Sequence, residues 1–377
     1  MRIAIFENIM TPGGHEVEFD RLLTEELESL GAEVFFFVPR DFVFAMDYGV
    51  PVERLEGQVV SYTNVHGLKK IMYSIKREWN RRRLYREIFE RGDEFDALIV
   101  PTSTYRYLRA LDRSVLRETD KPLIFILHGI NPGESQNFLD SVDQIANHPK
   151  VCPVVLTLSD SIFGETRKNI RLIPPPTYTA RDLDDFKSHN EILTIGFFGQ
   201  YRREKKLEDF LDVYASKKFN RKVKLIVQGS TNSPEDLEDF KRISKKFERE
   251  DFEFIPRGLI GKDWQSAIAS VDALLMPYSA PRYRYHWGGM LFTAIGFQKP
   301  VIASDDMNPE VFRDFRIGET FASGNLEQLG DVLEKFINDF DKNSATYESE
   351  LNRAAEYFSP NRFAKNLIEI IEEVKKL

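Results

Sequence analysis

Apolar residues recur along the chain in two alternating spacings. Short uninterrupted runs at Arg2–Phe6, Val34–Val38, Ala97–Val100, Leu123–Leu127, Val154–Leu158 and Ile170–Ile173 predict strands buried on both faces, as in a parallel sheet. Between them, apolar positions three and four apart predict helices. One runs from about His15 to Leu30, with Val17, Leu22, Leu23, Leu27 and Leu30 on one side and Gly31 as its stop. Others are expected over Gly67–Arg91 and around Thr104–Leu116, whereas residues 39–65 carry no readable pattern.

The alternation restarts after Pro174-Pro175-Pro176 and the polar stretch Tyr178–Asn190, which read as a linker. Strands are expected at Leu193–Phe198, Val223–Val227, Phe252–Ile255, Ala273–Met276 and Val301-Ile302. Helices are expected at Lys206–Tyr214, Pro234–Phe247, Lys262–Ala269 and after Gly288-Gly289. A turn-and-strand unit around Gly318–Ala322 precedes helices at Leu326–Phe340, Thr346–Phe358 and Asn361–Leu377. Two such α/β series predict two doubly wound domains, 1–178 and 190–358, with 359–377 as a last helix. Small molecules would bind in a cleft between the domains.

Composition narrows the function. With 42% hydrophobic and 30% charged residues in 377, the chain can bury two cores. A net charge of −8 argues against nucleic acid as a partner. The lone Cys152 and the lack of a long apolar run point to a reducing, cytoplasmic setting. Against this acidic background the 67–91 helix is basic, with Lys69, Lys70, Lys76, Arg77, Arg81, Arg82, Arg83 and Arg86. Leu68, Ile71, Met72, Ile75 and Trp79 give it one apolar face. It reads either as a solvated surface helix or as peripheral contact with an anionic membrane or acceptor.

Three loops of the second series end strands at one sheet edge: 199–205, 257–260 and 285–291. Lys205, at a helix start beside Arg202, Arg203 and Lys206, suits a diphosphate. Gly288 and Gly289 open a helix whose first N–H groups suit the same anion. In the first series, Gly13-Gly14 follow the first strand, and His128 ends another, where it suits a sugar hydroxyl or proton transfer. Six histidines without metal spacing, and no GxSxG, GxGxxG or GxxxxGK[ST] motif, argue against metallohydrolase, serine hydrolase, dinucleotide and P-loop chemistry. Asp182–Asp185 contains an Asp-x-Asp but lies in linker sequence and is a poor metal site.

These motifs together resemble the GT-B glycosyltransferases, and in particular the retaining family 4 (group 1) enzymes. Thr11-Pro12-Gly13-Gly14 resembles the family's Gly-Gly loop, Gly199-Gln200 to Lys205 its phosphate loop, and Gly288 to Pro300 its C-terminal signature. Nearly the whole chain is covered. The resemblance implies two Rossmann-like domains facing across a cleft, with a C-terminal helix crossing back to the first. It implies transfer of a sugar from a nucleoside-diphosphate sugar, UDP-sugar foremost, to a glycan or lipid-linked acceptor in polysaccharide or cell-envelope synthesis. Retention and chemistry without metal or other cofactor are implied too. It gives His128 and Lys205 catalytic parts. It assigns donor binding to Gly13, Gly14, Gln200, Arg203, Lys205, Arg257, Gly258, Leu259, Tyr285, Gly288, Gly289, Met290, Leu291 and Thr293. The family carries two glutamates where this chain has Tyr285 and Thr293, and an arginine where it has Gln200. That departure keeps open a non-catalytic nucleotide-sugar-binding protein, and the shared two-domain architecture keeps open a sugar-nucleotide epimerase.

Overall fold

The computed structural model describes residues 1–9, 15–59, 67–111, 116, 120–161, 163, 167–188, 190–231, 233–278 and 280–377. The chain divides into two compact units, 1–175 with 360–377, and 176–359.

The first unit is built on a seven-stranded sheet of order β3-β2-β1-β4-β5-β6-β7. The strands are β1 Arg2–Phe6, β2 Glu33–Pro39, β3 Val52–Leu55, β4 Ala97–Val100, β5 Leu123–Leu127, β6 Val151–Leu156 and β7 Arg171–Ile173. Every pairing is parallel. The central strands are buried throughout, which is why they read as unbroken apolar runs. The helices are α1 His15–Ser29, α2 Gly67–Phe89, α3 Tyr105–Arg109 and α4 Ser135–Gln144. The edge strand β3 and helix α4 carry too few apolar residues to have been predicted. The final helix, Pro360–Lys376, also belongs to this unit. Its Phe363 ring lies 5.9 Å from that of Phe19 on α1, and Lys150 Nζ donates to the Lys375 carbonyl.

The second unit has a six-stranded parallel sheet of order β10-β9-β8-β11-β12-β13. Its strands are β8 Leu193–Phe197, β9 Val223–Gln228, β10 Phe252–Ile255, β11 Ala273–Met276, β12 Val301–Ser304 and β13 Gly318–Phe321. The segment around Gly318 is therefore the sheet's sixth strand and not a separate small unit. The helices are α5 Leu207–Ser216, α6 Pro234–Lys246, α7 Gly261–Ala269, α8 Gly289–Gly296, α9 Pro309–Asp314, α10 Leu326–Asn338 and α11 Phe340–Tyr357. Numbering Pro360–Lys376 as α12 completes the chain. Both sheets reverse strand order beside their first strand, at β1/β4 and at β8/β11. Open α/β sheets hold ligands at that point.

The expected linker 178–190 is packed into the second unit instead. Tyr178 is buried and stacks on Trp287, centroids 4.9 Å apart. Gln265, fully buried, accepts the N–H groups of Arg181 and Asp182 and donates to the Asp182 carboxylate. The Asp182 carboxylate thus satisfies a core amide. Lys299 Nζ donates to the carbonyls of Phe186 and Ala269, and burial pulls its ammonium down to about 8.

Helix α2 also departs from a simple one-faced reading. Its core contacts come from the last two turns, where Leu84, Tyr85, Ile88 and Phe89 are buried. The predicted apolar face, Leu68, Ile71, Met72, Ile75 and Trp79, is 57–81% exposed. Predicted basic residues have partners within the unit. Arg81 stacks on Tyr107 at 3.8 Å, Arg82 pairs with Glu78, and Arg83 pairs with Glu87.

Candidate functional site

The site in the second unit grows from the ends of β8 and β11. Strand β8 ends at a loop whose Gly199 has φ 122°, a conformation that only glycine adopts easily. Gly199 gives its N–H to Gln228 Oε1 at 2.9 Å, and Gln228 Nε2 donates to the Arg257 carbonyl. Gln228 is buried at the end of β9, so one side chain ties the 199–205 loop to the 257–260 loop. Tyr201 N–H to Ser230 O and Ser230 N–H to Gly199 O extend that tie. Gln228 was missed in the sequence because a single polar residue at a strand end has no signature.

A short 3₁₀ turn, Arg203–Lys205, then leads through Lys206, in the left-handed region at φ 50°, into α5. The Lys205 ammonium stands 4.5 Å from the Tyr278 ring centroid, above Gly199. Tyr278 follows β11, so the two loops of the switch point meet at this pair. Tyr278 abuts Tyr283, centroids 5.3 Å apart, and the Tyr283 hydroxyl accepts from Arg282 Nη2. Lys205 and Arg282 therefore stand at either end of a tyrosine pair.

The α8 entry is held by Asn308. Its Oδ1 accepts the Gly288 N–H at 3.2 Å and its Nδ2 donates to the His286 carbonyl. A Cβ on Gly288 would lie 2.7 Å from that Oδ1, which accounts for glycine there, whereas Gly289 faces open space. Of the expected anion-binding N–H groups, those of Gly288, Gly289 and Leu291 bond to Asn308 Oδ1, Trp287 O and Gly288 O. The Met290 N–H, in the first turn, has no intramolecular acceptor among the described residues. Thr293 is buried, and its hydroxyl donates to the Gly289 carbonyl one turn back. Tyr285 is half-buried and gives its N–H to Arg282 O.

The remaining predicted residues spread outward. Gln200 Oε1 accepts from the Arg202 guanidinium. Arg203 turns to α6, donating to Glu235 O with Asp239 at 3.5 Å. Arg257 is exposed, 3.7 Å from Asp263. Leu259 is buried, and Gly258 lies against Ser230. Arg284 stands 3.8 Å from Glu310, a carboxylate that sequence reasoning did not single out.

In the first unit, His128 follows β5. Its Nε2 lies 3.0 Å from the Pro101 carbonyl, so this nitrogen carries the proton. Nδ1 is left as the acceptor of a bond from His15 Nε2 at 2.8 Å. The Phe19 ring edge, centroids 4.6 Å apart, holds the imidazole in place. Gly13 and Gly14 lie outside the described residues. Among the described residues no group of His, Cys, Asp or Glu is placed to hold a metal ion.

Residues 181–353 match the model of the family described as glycosyl transferases group 1, a span within the second unit. Over this span the second unit is similar to the group 1 glycosyl transferases. Solved glycosyltransferases share the fold over nearly the whole chain, two Rossmann-like units of the GT-B kind. The Anabaena HepE protein, solved with UDP and glucose, is 16% identical with a TM-score of 0.71, covering 99% of this chain and 100% of its own. Sucrose-phosphate synthase from Thermosynechococcus elongatus is 13% identical with a TM-score of 0.70, covering 99% and 98%. WaaG, involved in lipopolysaccharide biosynthesis, is 15% identical with a TM-score of 0.63, covering 96% and 98%. No curated protein matches the chain in sequence.

Proposed function

We propose that this glycosyltransferase moves a sugar from a UDP-sugar to a hydroxyl of a glycan or lipid-linked acceptor, with retention at the anomeric carbon. The observation that carries this reading is the meeting of Lys205 with Tyr278 at the switch point of the second sheet, inside the segment that matches the family. UDP as the nucleotude is supported by the HepE complex, which holds UDP and glucose on the same fold.

In the transfer, the bond from the anomeric carbon to the β-phosphate oxygen breaks and its electron pair stays with the diphosphate. The acceptor oxygen bonds the anomeric carbon on the same face and passes its proton to the departing β-phosphate oxygen. Negative charge grows on the leaving phosphate, where the Lys205 ammonium and the Met290 N–H at the start of α8 supply fixed positive charge. Gln228, by tying the β8 loop to Arg257 O, holds the base-side backbone in register with the phosphate loop. His128, with its Nε2 proton on Pro101 O, would exchange the His15 bond at Nδ1 for one from an acceptor hydroxyl.

The acceptor reading extends to α2. Its exposed Leu68, Ile71, Met72, Ile75 and Trp79, beside exposed Lys69 and Lys76, suit the interface of an anionic membrane. Among the described residues no helix is long and apolar enough to cross a bilayer.

A second reading, a nucleotide-sugar-binding protein without turnover, draws on Thr293, whose hydroxyl proton is committed to Gly289 O. The two separate in one assay. Release of UDP from a panel of UDP-sugars and acceptors, lost in Lys205→Ala, supports the transferase. Saturable UDP binding with equal background in both proteins supports the binder.

A further inference from the structure

His15 was not among the residues marked out by sequence, yet it meets the His128 nitrogen on which the acceptor chemistry depends. His15 is the first residue of α1 and Phe19 follows four residues later, so the two side chains share one face of the helix. That face covers His128. The His15 and His128 ring centroids lie 5.0 Å apart at 41°, and the Phe19 ring meets His128 edge-on at 4.6 Å and 80°. Phe19 is fully buried, His128 half-buried and His15 exposed. Phe19 thus anchors the helix against the imidazole, and the His15 ring stands in solvent, where it can turn.

The partners fix the hydrogens. The Pro101 carbonyl only accepts, so His128 Nε2 carries a hydrogen and Nδ1 of the neutral ring keeps a lone pair. The 2.8 Å contact is then a bond donated by His15 Nε2–H to His128 Nδ1. Thr102 Oγ1, 3.5 Å from Nε2, stands on the other nitrogen's side. One donor and one acceptor therefore face each other tip to tip. A group that both donates and accepts can enter between them, replacing one N–H···N bond by N–H···O and O–H···N. An alcohol hydroxyl does so. A carboxylate has no hydrogen for Nδ1, and an ammonium has no lone pair for the His15 N–H.

We propose that His15 and His128 seat the acceptor hydroxyl between them, its oxygen accepting from His15 Nε2 and its hydrogen on His128 Nδ1. The oxygen keeps a second lone pair for the anomeric carbon. Its hydrogen turns from Nδ1 to the β-phosphate oxygen as that bond forms. The proposal rests on the transferase reading above and adds His15 to it.

Imidazole nitrogen resonances of the full chain, labelled in its six histidines, test the contact without turnover. His15→Ala is expected to shift the His128 Nδ1 resonance. His15→Gln, whose amide N–H can take the place of Nε2–H, is expected to restore most of it. In the UDP-release assay, His15→Ala is expected to raise the acceptor KM roughly fivefold, the worth of one neutral hydrogen bond, with the donor KM unchanged. His15→Gln should recover that loss. An unmoved Nδ1 resonance in folded His15→Ala, an unmoved acceptor KM, or equal effects of Ala and Gln would overturn the proposal. Wild type that shows the imidazole contact but releases UDP with no donor and acceptor would overturn it too, through the transferase reading on which it rests.

Discussion

Asn308 holds Gly288 by accepting its N–H while bonding the His286 carbonyl with the same amide. Asn308 is itself fully buried and left-handed, at φ 42°. Glycine would adopt that backbone freely, so Asn308→Gly removes the amide without adding strain. It leaves a buried N–H and a buried carbonyl to find other partners. The expected loss is roughly 2 kcal/mol of stability, with weaker UDP binding, since each orphaned group costs about 1–3 kcal/mol. Denaturant unfolding checks the first and calorimetry the second.

Gln228 makes a similar prediction for the other half of the site. Gln228→Leu keeps the size but drops the bonds to Gly199 N and Arg257 O. UDP affinity should fall, and by more than overall stability, because the residue ties the two loops of the proposed nucleotide site. An unchanged UDP isotherm would show that the loops hold their places without it.

The Glu7 carboxyl makes stability depend on pH. Its folded value is raised from 4.5 to about 8, chiefly by burial. A raised value means the native state holds the proton more tightly than the unfolded chain. The stability Glu7 contributes is therefore complete below 4.5 and is lost as pH climbs through about 8. Glu16, Asp20 and Tyr48 line the same cavity. Glu7→Gln stays neutral, so the variant should gain on wild type across that window, by a few kcal/mol at most. Denaturant unfolding on either side of the window measures it; a difference that does not change with pH contradicts the assignment.

Helix α2 predicts binding to anionic vesicles. Ile75→Glu with Trp79→Glu should abolish co-sedimentation while leaving the fold intact, because both side chains are already in solvent, at 66% and 64% exposure. Added salt should weaken wild-type binding, since Lys69 and Lys76 act through a screened field. Binding indifferent to both changes would remove the membrane from the account.

What could be read from the sequence, and what could not, follows from where the signal lies. Arg2–Phe6, Leu123–Leu127 and Ala273–Met276 are buried on both faces, so a run of apolar letters suffices to mark them. The edge strand β3, Val-Glu-Arg-Leu, is half solvated and has no such run. The helix face of Leu68 and Trp79 has the periodicity of a core face, yet Leu84, Tyr85 and Ile88 do the packing. Periodicity tells which residues share a side, not what covers it. Lys205 and the Gly288 entry were legible because each sits where a strand hands over to a helix. Gln228, Asn308 and the Glu7–Asp20 cavity were not, because each acts on partners brought close only by the fold.

The central claim is that the second unit holds a nucleoside diphosphate through Lys205. Calorimetric titration of the full chain with UDP, beside Lys205→Ala, tests it most directly. The account predicts a saturable isotherm for wild type and roughly 10–100-fold weaker binding for the variant, the worth of a charge-assisted hydrogen bond of about 1.5–3 kcal/mol. No heat at millimolar UDP, or identical isotherms for the two proteins, would contradict it.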